Sequence, residues 1–165
     1  MNKIKVILID DEEKALESLH IKISRFFKEI EIIASCNNPK EAVHLINELK
    51  PDLVFLDIEM PVWSGFDVLA KINQPVFEII FVTAYSNYAI EAIQNCAIGY
   101  VVKPIDNEEL IHAINNAIQN INQKTALEKN VQLLANLGHK NTTSIAIPSQ
   151  KGLLFIKSEK IIRRY

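Results

Sequence analysis

Short apolar runs alternate with amphipathic segments from residue 3 to about residue 124 of the chain. Between the runs, apolar residues recur at helical spacing, whereas the runs themselves are too short for helices. Because strands that alternate with helices build βαβ units, we predict an α/β fold with a doubly wound, five-stranded parallel sheet of the flavodoxin-like type. The predicted strands are Lys5–Ile9, Glu31–Ser35, Leu53–Leu56, Ile79–Val82 and Tyr100–Val102.

The predicted helices begin at recognisable capping residues. Asn38, Ser64 and Asp106 each precede a helical segment and have an acidic residue three positions later, which is typical of helix N-termini. The first predicted helix has apolar positions at Ala15, Leu19 and Ile23. The others are Pro39–Leu49, Gly65–Ile72, Tyr88–Asn95 and a final helix that starts after Asp106.

The final helix is unusually long. Its apolar residues Ile111, Ile114, Ile118 and Ile121 alternate spacings of three and four, as in a coiled-coil seam, and the pattern continues to about Leu137. The second half would project beyond a small sheet. We interpret it as a stiff connector, a dimer contact or both.

The last 22 residues differ from the rest of the chain in charge. They carry five lysines and arginines against Glu159 alone, whereas the whole chain has a net charge of −2. Ser144–Ile147 and Leu153–Ile156 predict a β-hairpin, and Ile161–Tyr165 predicts a further strand. Because so short a segment cannot bury a core of its own, we expect it to be the start of a domain whose remainder is absent.

The composition is that of a globular protein, with 48% hydrophobic and 23% charged residues. No apolar run reaches the length of a membrane span, and the N-terminus leads into a strand without the features of a secretory signal. Cys36 and Cys96 lack metal-ligand spacing and are interpreted as reduced thiols. These features predict a cytoplasmic location without membrane contact.

Polar residues follow four of the five predicted strands at the point where each strand ends. Asp10 and Asp11 follow the first strand, Asp57 the third, Thr83 the fourth and Lys103 the fifth. Ligands of open parallel sheets bind at the carboxyl ends of the strands. The sequence therefore predicts three carboxylates, a hydroxyl and an ammonium group in one crevice.

Three carboxylates in one crevice repel each other unless a cation compensates for them. A hard divalent ion that prefers oxygen ligands, Mg²⁺ with Mn²⁺ as an alternative, suits Asp11 and Asp57 as direct ligands and Asp10 as a ligand through water. Such an ion is suited to phosphoryl chemistry, and Lys103 and Thr83 would face the same group. Asp57 is then the candidate nucleophile for an aspartyl phosphate.

Over about residues 3–124 these motifs resemble the response-regulator receiver domains of two-component systems. Asp10-Asp11 is similar to the acidic pair of that family, and Asp57-Ile58-Glu59-Met60-Pro61 to its phosphoacceptor segment. Thr83-Ala84-Tyr85 resembles the switch segment, and Lys103-Pro104 the Lys-Pro pair. Tyr100 falls at the position of the switch aromatic residue.

The resemblance implies that a sensor histidine kinase phosphorylates Asp57, with the backbone carbonyl of Glu59 among the metal ligands. It also implies that Thr83, Ala84 and Lys103 bind the phosphoryl group, and that the peptide bond between Lys103 and Pro104 is cis. The protein would be a regulator rather than an enzyme, because its only chemistry is its own phosphorylation and dephosphorylation.

Further implications of the resemblance concern output. Shifts of Thr83 and Tyr100 would remodel the face formed by the predicted fourth helix, fifth strand and fifth helix, through which a homodimer would form. Glu59 and Tyr85, two residues beyond Asp57 and Thr83, would influence hydrolysis of the acyl phosphate.

The C-terminal segment is similar to the start of LytTR DNA-binding domains. The similarity lies in Ser144-Ile145-Ala146-Ile147-Pro148, Gly152-Leu153-Leu154-Phe155-Ile156 and Lys160-Ile161-Ile162. It implies a receiver domain over 1–124, a helical extension and linker over 125–143, and a LytTR fragment over 144–165. The complete protein would be a transcription factor that binds DNA only through the complete output domain.

Two alternatives stay open from the sequence. A stand-alone receiver would act through protein contacts, and the coding sequence beyond Tyr165 would distinguish it from a truncated regulator. A haloacid-dehalogenase-type phosphohydrolase also uses an aspartyl nucleophile with Mg²⁺. It would need an aspartate where this chain has Glu59, and a cap insertion for which the chain has no room.

Overall fold

The computed structural model describes residues 2–72, 76–88, 92, 97–136, 144–149 and 152–157. In chain order the described elements are β1 (Ile4–Ile9), α1 (Glu13–Phe26), β2 (Ile30–Cys36), α2 (Pro39–Leu49), β3 (Leu53–Leu56), α3 (Gly65–Ala70), β4 (Glu78–Thr83), β5 (Gly99–Val102), α4 (Asn107–Asn136), β6 (Ser144–Ser149) and β7 (Gly152–Lys157).

The first five strands form one parallel sheet in the order β2-β1-β3-β4-β5. This order confirms the predicted doubly wound, flavodoxin-like fold. The strand order reverses between β1 and β3, and ligands of such sheets bind at the carboxyl ends of the strands beside that reversal. Asp10 follows β1 and Asp57 follows β3, so both acidic positions lie at this reversal.

The central strands are buried on both faces, as expected for a parallel sheet covered by helices. Every residue of β3 and β4 is buried, including Glu78 at the start of β4. Removing this apolar surface from water is the main favourable term in folding. The largest fully buried side chains are Phe55, Phe81, Ile7, Leu8, Ile9, Ile23, Leu53, Leu56, Ile58, Ile80, Leu110 and Ile114.

All three predicted helix caps are confirmed. The Asn38 side chain accepts hydrogen bonds from the N–H groups of Lys40 and Glu41 at 2.9 and 3.3 Å. Ser64 and Asp67 exchange both bonds of a capping box. The Asp106 carboxylate accepts from the N–H of Glu109 at 3.0 Å and so caps the first turn of α4.

The predicted helix boundaries can be compared with the structure, and α2 spans Pro39–Leu49 as predicted. Helix α3 ends at Ala70, two residues before the predicted end, because the N–H groups of Lys71 and Ile72 bond three residues back instead of four. Helix α4 reaches Asn136, which confirms the long final helix. The predicted helix over 88–95 lies outside the described residues, apart from Tyr88 and Ala92.

The chain divides into two compact units, Met1–Ala117 and Ile118–Tyr165. The first contains the parallel sheet. In the second, β6 and β7 pair as the predicted antiparallel hairpin, with Pro148 opposite Leu153. The predicted strand over 161–165 lies outside the described residues.

Among the described helices, α4 included, none has the length and apolarity that crossing a bilayer requires.

Candidate functional site

Asp10, Asp11 and Asp57 form an acidic cluster at the carboxyl edge of the sheet. One carboxylate oxygen of each lies within 4.8 Å of the others. Backbone hydrogen bonds fix the two strand ends, since the Asp57 N–H donates to the carbonyl of Ile9 at 3.0 Å and the Asp10 N–H to that of Cys36 at 3.1 Å. The structure therefore brings together the three carboxylates that the sequence placed in one crevice.

Lys103 enters this cluster from the end of β5. Its Nζ lies 2.7 Å from Asp10 Oδ2, 3.4 Å from Glu12 Oε1 and 3.6 Å from Asp57 Oδ2. The Lys103 N–H donates to the carbonyl of Thr83 at 2.8 Å, and the peptide bond between Lys103 and Pro104 is cis. The ammonium group is thus shared among carboxylates and lies closer to Asp10 than to Asp57.

The hydrogen bonding of the cluster is uneven. Both oxygens of Asp10 have donors, Lys103 at Oδ2 and the Glu12 N–H at Oδ1, the latter at 2.9 Å. Asp57 Oδ1 is buried and has no hydrogen-bond partner within the part of the chain that the structure describes. Buried acceptors normally have a partner, so this oxygen is the position where a ligand would compensate for the burial.

The pKa values follow from burial and from repulsion between the carboxylates. Burial, reinforced by the charge of Asp10, raises the pKa of Asp57 from 3.8 to about 6, against the opposing effects of Lys103 and Thr83. Burial and then Asp10 also raise the pKa of Asp11. Burial lowers the pKa of Lys103, but its hydrogen bond to Asp10 and the nearby carboxylates outweigh burial and raise it overall.

These observations fit a hard divalent cation. One ammonium group faces three clustered carboxylates, two of which have raised pKa values because their charged forms are poorly compensated. The donors are carboxylate oxygens, the ligand type that Mg²⁺ prefers, and one buried oxygen of Asp57 has no partner among the described residues. The acidic cluster could therefore hold such an ion.

Thr83, the last residue of β4, and the two residues after it lie beside the cluster. Thr83 is fully buried, and its Oγ1 accepts from the Tyr85 N–H at 3.4 Å. Ala84 is exposed, and the side chain of Tyr85 is 45% exposed. Thr83 is therefore fixed against the sheet, whereas the next two residues reach solvent at the mouth of the crevice.

Tyr100 connects this segment to β5. Its hydroxyl donates to the backbone carbonyl of Tyr85, and its ring centroid lies 6.4 Å from that of Phe81. Burial, the largest effect, raises the pKa of the Tyr100 hydroxyl. The predicted switch aromatic residue is thus hydrogen-bonded to the backbone of the segment that contains Thr83.

Sequence reasoning missed two residues of this site, Glu12 and Tyr88, whereas Gly65 was predicted as the first residue of a helix. Glu12 contacts Lys103 through its side chain and Asp10 through its N–H. Its position directly after Asp10 and Asp11 in the sequence could have indicated that it belongs to the site. Tyr88 donates its hydroxyl hydrogen bond to Glu59 Oε2 at 2.8 Å. Gly65 donates its N–H to Ile58 at 2.7 Å, and a Cβ there would lie 2.5 Å from the Asp57 carbonyl oxygen, so the loop after β3 folds back tightly.

The sheet order and the acidic crevice at its carboxyl edge define a receiver-type α/β domain. The family model for the response regulator receiver domain matches residues 6–115, more than half of the chain, and the chain belongs to this family.

Individual proteins agree with this assignment. The chain is 38% identical over 127 residues to an uncharacterised response regulatory protein of Yersinia pestis, covering 76% of this chain and 53% of that protein. It is 32% identical over 160 residues to the transcriptional regulatory protein BtsR of Escherichia coli K12, covering 94% and 66%. The crystal structure of the response regulatory domain of mrkE from Klebsiella pneumoniae is similar, with a TM-score of 0.67 at 27% identity over 73% of this chain and 99% of that one.

The chain spans about half to two thirds of the lengths of these curated relatives. Their names describe regulatory proteins rather than enzymes. The chain contains a response regulator receiver domain, and a transcriptional regulator is among its relatives.

Proposed function

We propose that Asp57 accepts a phosphoryl group from a sensor histidine kinase and that this modification switches a transcriptional output. The observation that carries the proposal is the buried Oδ1 of Asp57, which has no hydrogen-bond partner among the residues that the structure describes and lies in an acidic cluster that faces the ammonium group of Lys103. A carboxylate with one free oxygen and a nearby cation can act as a nucleophile toward phosphorus.

Mg²⁺, or Mn²⁺ in its place, is the proposed cofactor. Asp11, Asp57 and the backbone carbonyl of Glu59 would be its direct ligands. Asp10 would act through water, which agrees with the two donors that already occupy its oxygens. When bound, the ion supplies positive charge for the oxygens of the transferring group.

In the proposed transfer, an Asp57 oxygen attacks phosphorus while the bond from phosphorus to the donor's imidazole nitrogen breaks. The electron pair of that bond stays on the nitrogen, which takes up a proton. Lys103 would move from Asp10 toward the new phosphoryl oxygens. Thr83 would donate its hydroxyl hydrogen bond, and Ala84 its backbone N–H, since alanine has no other polar group.

The proposed switch uses contacts that link the crevice to β5. The backbone N–H of Lys103 donates to the carbonyl of Thr83, and the side-chain hydroxyl of Tyr100 donates to the backbone carbonyl of Tyr85. A shift of Thr83 toward the phosphoryl group would therefore displace Tyr85 and Tyr100 and alter the face of β5 and the first part of α4, to which the predicted helix over 88–95 would also contribute. This face would form the active homodimer.

The proposed output is binding of DNA by a LytTR-type domain. The alignment with BtsR covers 94% of this chain, so it extends beyond the receiver domain, and the hairpin of β6 and β7 has the predicted strand pairing. We propose a receiver domain over 1–124, a helical extension and linker over 125–143 and a LytTR fragment over 144–165. The location would be cytoplasmic, and DNA contact would need the complete output domain.

The test is phosphorylation by acetyl phosphate with Mg²⁺, followed by intact-mass spectrometry. We expect one added phosphoryl group on the wild-type chain, no addition in Asp57→Asn, and loss of labelling with a chelator that Mn²⁺ or Mg²⁺ reverses. Asp106→Asn is the matched control, because asparagine also caps helices and Asp106 lies outside the cluster. Labelling that persists in Asp57→Asn would refute the proposal.

A further inference from the structure

A hydrogen bond joins the loop after β3 to the segment after β4 at the mouth of the crevice. The hydroxyl of Tyr88 donates to Glu59 Oε2 at 2.8 Å. The Tyr88 ring makes edge contacts with Phe66 and Tyr85, at centroid distances of 6.0 and 6.2 Å. Two aromatic neighbours therefore hold the donor, whereas Glu59 is an exposed side chain with several rotatable bonds.

The hydrogen bond from Tyr88 to Glu59 is relevant to Asp57 because Glu59 lies close to Asp57 in the chain. Glu59 follows Asp57 by two positions along the chain, and Glu59 is exposed whereas Asp57 is buried. The ammonium group of Lys103 already contacts Asp10, Glu12 and Asp57. If the Glu59 carboxylate turned into the crevice, its charge would be poorly compensated, because Lys103 is already shared among three carboxylates.

We propose that Tyr88 is a positioning residue that holds the Glu59 carboxylate at the rim and thereby lengthens the lifetime of the phosphoryl group on Asp57. The inference rests on the proposed function and adds to it the residue through which Glu59 is controlled. Without the Tyr88 hydroxyl, the Glu59 side chain is free to turn toward Asp57.

The freed carboxylate would act on hydrolysis in two ways. In this step, the oxygen of a water molecule attacks phosphorus, the bond between phosphorus and the Asp57 oxygen breaks, its electron pair returns to the Asp57 carboxylate and a water proton passes to solvent. A carboxylate close by can accept a hydrogen bond from the attacking water. Its charge also repels the phosphoryl oxygens and raises the energy of the phosphorylated state.

The experiment is a double-mutant cycle of Tyr88→Phe and Glu59→Gln in the full chain, read as the rate of phosphoryl loss from Asp57 after labelling with acetyl phosphate and Mg²⁺. Tyr88→Phe keeps the ring and its packing and removes only the hydroxyl. We expect it to accelerate loss about two- to fivefold, the range typical of exposed charge interactions. In the Glu59→Gln background the same change should have no effect, since residue 59 then has no charge to release.

Glu48→Gln is the matched control. It removes the same charge from an exposed residue of α2 that also has a partner, His44 at 2.9 Å, and we expect an unchanged rate of phosphoryl loss. An unchanged lifetime in Tyr88→Phe, or equal acceleration in both Glu59 backgrounds, would overturn the inference while leaving phosphorylation of Asp57 intact. Absence of labelling in the wild-type chain would overturn the proposed function and this inference together.

Discussion

Replacing Asp57 by asparagine should stabilise the metal-free protein at neutral pH, although it removes the proposed phosphoacceptor. The wild-type side chain is buried at 6% exposure among other carboxylates. Burial and the charge of Asp10 raise its pKa to about 6. An asparagine of nearly the same shape carries no charge, and its amide group can donate to the neighbouring carboxylates while its oxygen accepts from Lys103.

The magnitude follows from the linkage between protonation and folding. A rise in pKa from 3.8 to about 6 corresponds to about 3 kcal/mol, at about 1.4 kcal/mol for each pKa unit. Because the folded state has the higher pKa, this contribution is fully present below pH 3.8 and is lost as the pH rises through about 6. Asp57→Asn should therefore gain up to about 3 kcal/mol over wild type at pH 7, and less than about 1 kcal/mol at pH 4.

The assay is urea unfolding with a chelator present, followed by the fluorescence of Trp63. This is the only tryptophan in the chain, and it lies between β3 and α3, so its signal reports the unit that contains Asp57. Asp106→Asn should change the free energy of unfolding by no more than about 0.5 kcal/mol at either pH. If Asp57→Asn is no more stable than wild type at pH 7, or gains equally at pH 4 and pH 7, the carboxylate repulsion described above is wrong.

Three further predictions concern the same region. Mg²⁺ at a hundred times its dissociation constant should stabilise the wild-type chain by about 2.7 kcal/mol, and Asp57→Asn by clearly less, in the same unfolding assay. Lys103→Ala should leave the circular dichroism spectrum intact but abolish any change in sedimentation caused by beryllofluoride, and an unchanged shift would count against its role as the link to the phosphoryl group. Gly65→Ala should lower the free energy of unfolding by about 1–3 kcal/mol because its Cβ would meet the Asp57 carbonyl oxygen, whereas Ser64→Ala, which only removes the cap, should cost about 1 kcal/mol.

The fold could be predicted from the sequence because its signals are local and agree with one another. Strand length, helical period and capping residues each indicate the same element boundaries, and the topology then follows from the rules for parallel sheets. The convergence of Asp10, Asp11, Asp57 and Lys103 could be predicted for the same reason, since strand order alone brings these strand ends to one edge. The predicted end of α3 was wrong by two residues, because the N–H groups after Ala70 bond three residues back instead of four. Amino-acid composition does not reveal this change in hydrogen bonding.

The contacts between side chains from different loops could not be predicted. Spacing brings Lys103 to the crevice, but its closer approach to Asp10 than to Asp57 depends on competition among carboxylates. The pairing of Tyr88 with Glu59 joins residues 29 positions apart in two loops, where no periodic pattern applies. Such contacts depend on loop conformation, which no periodic pattern in the sequence specifies.

In the proposed switch, the present contact of Lys103 with Asp10 competes with the contact that a phosphoryl group on Asp57 would offer. Lys103 lies closest to Asp10, and Thr83 Oγ1 already accepts a bond from the Tyr85 N–H. A phosphoryl group on Asp57 would draw the ammonium group away from Asp10 and engage the Thr83 hydroxyl as a donor. A ligand shifts an equilibrium only by the difference in its interaction with the two states. Both rearrangements depend on the added negative charge, so Lys103→Ala should weaken the switch more than it weakens the fold.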